Sequence, residues 1–196
     1  MSLPQRHRSL SPWVRWLHTY VSMLGFASLL FFAITGITLN HADWLEGTER
    51  VSEVDGHVDP KLLAANVDKL AVVEHLRRAH AITAALHDFN VDDAECVVVF
   101  KQPGRADDAT IARNTGDYHL STARRGAIAV LNDLHKGRDS GTTWSWFIDI
   151  SAVVLAVAGA TGLWLLWYVR RRRIPGLVWA CIGLLLPLTV YLVAVP

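Results

Sequence analysis

Residues 16–39 read WLHTYVSMLGFASLLFFAITGITL, 24 positions without Asp, Glu, Lys or Arg. A helix rising ~1.5 Å per residue needs about 20 residues to cross ~30 Å of hydrocarbon. Two more stretches satisfy that length. Trp144–Val169 has 26 residues and one charge, Asp149, and Gly176–Val195 has 20 residues and none. A chain of 196 residues has too little left to bury three such helices on every side. All three are therefore read as transmembrane helices. The first is too long for the apolar core of a signal peptide. It is followed by Asn40-His41-Ala42-Asp43-Trp44, with no small-x-small cleavage site, so it is expected to stay as an anchor.

Charge orients the spans. Arg6, Arg8 and Arg15 precede the first, and Arg170, Arg171, Arg172 and Arg173 follow the second. Lys and Arg concentrate in short cytoplasmic segments. The expectation is a cytoplasmic N-terminus (1–15), a first span (16–40), an outer segment (41–143), a second span (144–169), a basic cytoplasmic loop (170–175) and a third span (176–195) ending outside at Pro196. The outer segment holds 12 Lys/Arg and 17 Asp/Glu, a net charge of −5. The near-neutral total of +1 thus combines a basic inside with an acidic outside and gives no sign of a nucleic-acid partner. The Arg block, pinned to a span, reads as a topology anchor. The eight Trp residues mostly flank the spans, as an interfacial aromatic belt does. Cys96 and Cys181 fall in different phases and are not expected to pair; there is no CxxC and no zinc-type spacing.

The outer segment has the pattern of a small α+β domain. Asp43–Pro60 is polar and reads as a connection. Lys61–Ala85 has apolar residues at Leu70, Val73, Leu76 and Ala79–Ala81, a helical spacing. From Leu86 the pattern changes to three or four antiparallel strands, with turns at Pro103-Gly104-Arg105-Ala106 and Asn114-Thr115-Gly116. Gly126–His135 reads as a short amphipathic helix with Ile128, Leu131 and Leu134 on one side and Gly137 as its cap. No catalytic triad, phosphate loop or nucleophile motif is present.

Nine histidines remain to be placed. His18 lies one turn inside the first span, His41 just past its outer end, and His135 just before the second span. Ionisable groups at membrane depth are functional candidates. His41 and His135 form the one complete imidazole pair that the topology offers to a haem iron. Interfacial capping and hydrogen bonding is the alternative for both. His18 is 23 residues from His41, about 34 Å along a straight helix, so it cannot join that site. Its partner would be His7, a non-His ligand or another subunit. His18, Ser22, Gly25 and Gly36 share a stripe, which suits either close helix packing or a flat macrocycle. Asp149 and Asn40 are candidates for supporting a ligand His, and Asp149 alternatively caps or snorkels. His75, His80 and His87 read as solvated rather than as a metal site, and His57 and His119 carry no motif. Asp139-Ser140-Gly141-Thr142-Thr143 departs from the Asp…Ser-Gly-Ala-Thr pattern that carries FMN on Thr, so flavin attachment is not expected on this chain.

Arg15-Trp16-Leu17-His18-Thr19-Tyr20, Gly25 and Ile34-Thr35-Gly36-Ile37-Thr38-Leu39-Asn40-His41 resemble the first helix of the PepSY-associated transmembrane family. Leu131-Asn132-Asp133-Leu134-His135-Lys136-Gly137-Arg138, Trp144, Asp149 and Thr161-Gly162-Leu163-Trp164 resemble its returning helix. The hairpin at Asn114-Thr115-Gly116-Asp117 is similar to that of a PepSY helix-plus-strands module. The resemblance implies an α-helical inner-membrane protein of three transmembrane helices, with a PepSY-like extracytoplasmic domain between the first two. Larger relatives include ferric-siderophore reductases that carry b-type haem on span histidines, and some small relatives are thought to partner flavin-carrying periplasmic proteins. The resemblance places His18, His41 and His135 at the family's span histidines. It implies haem b and a redox partner or ferric chelate outside. Three spans, rather than four or more, leave fewer ligands for a second haem. A non-enzymatic envelope protein that binds or restrains a partner such as a peptidase, or a subunit of a redox complex, is the alternative. A homodimer is compatible with each reading.

Overall fold

A computed structural model describes residues 6–45, 47, 49–64, 66–169 and 171–195, with backbone alone at 6–11, 42 and 45. Arg170 and Pro196, and the side chains of Arg6, His7 and Arg8, lie outside that description. The chain divides into two compact units, Met1–Leu30 with Asp149–Pro196, and Phe31–Ile148.

The first unit is helical. Helix α1 runs Arg6–Asn40, α4 Gly141–Tyr168 and α5 Arg173–Ala194. Two of these helices continue in sequence into the second unit, α1 from Phe31 and α4 up to Ile148. Their stretches Pro12–Asn40, Gly141–Tyr168 and Arg173–Ala194 are each long and apolar enough to cross a membrane. The helix α1 begins upstream of Trp16, because the change from charged to apolar residues marks a solvent boundary and not a helix end. Within this unit, a Cβ on Gly25 would meet Val154 Cγ1 at 3.0 Å and Leu155 Cδ2 at 3.1 Å, so α1 approaches α4 closely there. Ser28 Oγ and Ser151 Oγ bond across the same contact at 3.1 Å. No residue of α5 is buried within the chain. Seven of the eight Trp are exposed, which suits a lipid-facing aromatic belt. The exception, Trp144, donates its indole N–H to Leu134 O at 2.8 Å.

The second unit is built on a five-stranded antiparallel sheet: β1 Arg50–His57, β2 Ala85–Val91, β3 Glu95–Gln102, β4 Arg105–Ala112 and β5 Asp117–Arg124. Their spatial order is β1-β5-β4-β3-β2. One face is apolar. Cys96, Val98, Phe100, Ala109, Ile111, Tyr118 and Leu120 pack there against Val72, Val73 and Leu76 of α2, Lys69–His80. Helix α2 is shorter than the 61–85 stretch that the apolar spacing predicts. Residues 60–63 form a separate helical turn. Asp68 then caps α2 by accepting from Ala71 N, and Ala81 ends it in the left-handed region at φ 51°. Leu70, expected on the inner face, is exposed, and Val72 takes the core position.

Strand β1 corrects the reading of Asp43–Pro60 as a connection. Almost every residue of β1 is exposed, so neither face shows an apolar alternation. The strand exists because it pairs with β5 from Arg50↔Arg124 to His57↔Asp117. The two turns fall where the sequence places them. A Cβ on Gly116 would meet Val58 O, and its φ of +82° is open to glycine. Helix α3, Ala127–Lys136, ends on Gly137, whose N–H bonds to Asp133 O and Leu134 O. Its inner face is not the expected one. Ala129 and Asn132 are buried, while Ile128 and Leu131 are exposed. The reason is that α3 is fixed by polar contacts: Asp133 accepts from Gly104 N at 2.9 Å, and Thr38 Oγ1 donates to Asn132 Oδ1 at 2.6 Å.

Two predictions follow from the sheet. Asp107 is fully buried, and its Oδ1 accepts from Arg105 Nε, Arg105 Nη2 and Thr122 Oγ1 at 3.0, 2.8 and 2.7 Å. Asp107→Ala strands a largely covered guanidinium and should cost about 3–5 kcal/mol. Thermal unfolding in detergent with an unchanged midpoint would contradict this. At the β1–β5 edge, a hydrogen bond from His119 Nδ1 to Asp55 at 2.7 Å raises the His119 pKa from 6.5. A raised folded value makes this contribution full below 6.5 and lost as pH rises through the raised value. In Asp55→Asn, an NMR titration of His119 should move back toward the ordinary imidazole range.

Candidate functional site

Each unit contains one histidine held in the same manner. In the second unit, α3 brings the His135 ring to the Thr35-Gly36 step of α1. Thr35 is nearly fully buried at 2% exposure. Its Oγ1 lies 2.6 Å from His135 Nδ1 and 2.6 Å from Phe31 O. Phe32 meets the imidazole edge-on, with ring centroids 5.1 Å apart. Gly36 opens the space beside the ring; a Cβ there would lie 3.8 Å from His135 Cε1.

In the first unit, His18 of α1 meets the Thr161-Gly162 step of α4. His18 Nδ1 lies 3.0 Å from Thr161 Oγ1, 3.1 Å from Ala158 O and 3.4 Å from Ser22 Oγ. Thr161 Oγ1 donates to Val157 O at 2.7 Å, as Thr35 does to Phe31 O. A Cβ on Gly162 would come within 3.2 Å of His18 Cε1. In both places a Thr hydroxyl takes the ring's Nδ1 and the following Gly leaves room beside Cε1. Among the described residues neither Nε2 has a hydrogen-bond partner, and neither is among the buried unpartnered nitrogens, so both are open.

His41 follows the last residue of α1. Its ring stacks on Trp44 with centroids 4.4 Å apart and planes 7° from parallel, which covers one face and leaves the nitrogen-bearing edge. Among the described residues no hydrogen bond or ring contact joins His41 to His135. Asn40 and Asp149 are exposed, and among the described residues neither bonds to a histidine. His80 and His75, read as solvated, instead border buried Tyr118: His80 Nε2 lies 2.8 Å from its hydroxyl, and the His75 ring meets it edge-on. Among the described residues, no group of three or more His, Cys, Asp or Glu is placed to hold a metal ion.

A haem would take imidazole nitrogens of the chain as its iron ligands. His135 suits that in kind, with Nδ1 engaged on the protein and Nε2 open, the usual arrangement of a ligating imidazole. His41 offers a second imidazole whose ring orientation is set by Trp44. Thr35 and Thr161 are the site residues that sequence reasoning left without a role. Their signal was the repeated Thr-Gly step, which pattern alone does not tie to a histidine on another helix.

The same residues fall within a match to the family model described as Putative PepSY_TM-like, which covers residues 12–196. The chain belongs to this family. No curated protein and no solved structure matches it. Three membrane-capable helices among the described residues, with a five-stranded sheet between the first two in sequence, give this PepSY_TM-like chain the build of a multi-pass membrane protein.

The two glycines predict unequal tolerance. Gly162→Ala puts a methyl into the His18 ring at 3.2 Å and should cost about 1–3 kcal/mol, whereas Gly36→Ala at 3.8 Å meets ordinary contact. Thermal unfolding of the two variants in detergent checks this; equal midpoints would contradict it.

Proposed function

We propose that this PepSY_TM-like protein binds haem b in the bacterial inner membrane and takes part in transmembrane or periplasmic electron transfer. The electron acceptor or donor outside would be a ferric chelate or a flavin-carrying periplasmic partner. The observation that carries this reading is the His135 imidazole, held through Nδ1 at 2.6 Å with Nε2 open. His135 and His41 would hold the iron, and His18 offers an imidazole of the same kind in the other unit. When bound, the haem supplies a one-electron redox couple. This chain's residues supply nitrogen ligands, fix their rings and surround them with apolar side chains such as Phe32. The basic residues in the first turns of α1 and after α4 support a cytoplasmic N-terminus and an outward sheet unit.

A second reading keeps the spans as an anchor and gives the work to the sheet. It is favoured by the sheet's one-sidedness: the face opposite α2 is open, and a concavity there is lined by Asp55, Glu95, Asp117 and His119. A positively charged partner in the envelope suits that face.

Haemin titration of the purified chain separates the two. Under the haem reading the wild type gains a Soret band, and His135→Ala and His41→Ala each lose most of it. A full spectrum in both variants rejects this ligand pair, and no band in the wild type favours the partner-binding reading.

A further inference from the structure

We infer that Thr35 and Thr161 are positioning residues that fix the imidazole proton of His135 and His18 on Nδ1, so that each Nε2 presents a lone pair. The inference deepens the haem reading and rests on it only for what Nε2 then binds. The chemistry is a matter of counting hydrogens. Thr35 has one hydroxyl hydrogen, and a short 2.6 Å bond commits it to Phe31 O. The oxygen then faces His135 Nδ1 as an acceptor at 2.6 Å, so the ring nitrogen must donate. At His18 the same conclusion comes from two directions. Thr161 spends its hydrogen on Val157 O at 2.7 Å, and Ala158 O, 3.1 Å from Nδ1, is a carbonyl that only accepts. Nδ1 is thereby the donor in both rings, so in the neutral imidazole the proton sits on Nδ1 and Nε2 carries the lone pair.

At His18 a glycine completes the device. Gly162 leaves the ring beside the α4 backbone, where a Cβ would come within 3.2 Å of Cε1, so the ring approaches α4 closely enough for the short Thr161 side chain to reach Nδ1; at Gly36 a Cβ would meet His135 in ordinary contact at 3.8 Å. Serine keeps the hydroxyl and valine keeps the shape without it, so the two substitutions separate chemistry from packing.

The two sites differ in redundancy, which gives a test that a packing role would not reproduce. Among the described residues His135 Nδ1 has one protein acceptor, Thr35 Oγ1, whereas His18 Nδ1 has Thr161 Oγ1, Ala158 O and, at 3.4 Å, Ser22 Oγ. The full-length chain, labelled with 15N-histidine and held in detergent without haem, is measured above the pH at which imidazole titrates. His18→Gln and His135→Gln assign the two signals. Both rings should show Nδ1–H with bare Nε2. Thr35→Val should shift His135 to a mixture of tautomers, Thr35→Ser should restore it, and Thr161→Val should leave His18 largely Nδ1–H. A wild-type His135 protonated on Nε2, or a Thr35→Val variant that keeps pure Nδ1–H, would overturn the inference. Haemin titration of the same proteins reads the consequence, with Thr35→Val weakening binding about 10–100-fold and Thr35→Ser far less. Equal haem affinity in Thr35→Val and wild type would remove the positioning role toward haem. If the wild type takes up no haem while the tautomers behave as expected, the haem reading fails and the assignment of the Thr residues stands.

Discussion

A hydroxyl in an apolar helix has few partners, and that scarcity organises this protein. Thr35 and Thr161 each sit in a helix apolar enough to span a membrane, and each bonds back to a carbonyl one turn earlier. That bond leaves only the oxygen lone pairs facing outward. A histidine nitrogen meets them in each unit, and a glycine follows in sequence to let the ring in. Polar contacts of this kind fix which faces of two helices meet, since apolar contact with lipid and with protein are nearly equivalent. The Ser28–Ser151 contact and the close approach at Gly25 serve the same contact face in the first unit.

The sheet unit follows different rules. Its core is one face under α2, where every second residue of β3, β4 and β5 is buried, Asp107 among them. Strand β1 shows no such pattern. Its register comes from pairing with a strand sixty or more residues away, with His57 bonded to Asp117 and His119 to Asp55 across the edge. No local signal encodes that pairing. The face of α3 fails for a related reason. Apolar spacing at Ile128, Leu131 and Leu134 predicts the inward side, yet Asn132 and Asp133 take the tertiary contacts and turn Ile128 and Leu131 outward.

The candidate site was legible in part. Charge-free length located the helices, and the positions of His18, His41 and His135 stood out against them. Their partners did not. A hydrogen bond from residue 135 to residue 35, or from 18 to 161, joins positions at least a hundred residues apart. The Thr-Gly steps were visible as a pattern, and only the three-dimensional contact gives them a chemical meaning. His41 and His135, paired in the sequence reading by topology, have different supports in the structure: a stacked indole for one and a hydroxyl for the other.

The central claim is that an open imidazole Nε2 on His135 serves a haem iron. The most direct measurement is the difference spectrum of the purified chain, oxidised and then reduced with dithionite, after expression with ample haem. The account predicts the sharp visible bands of a six-coordinate bis-imidazole b-type haem in the reduced protein. A chain that purifies folded and carries no Soret absorbance in either state would contradict it.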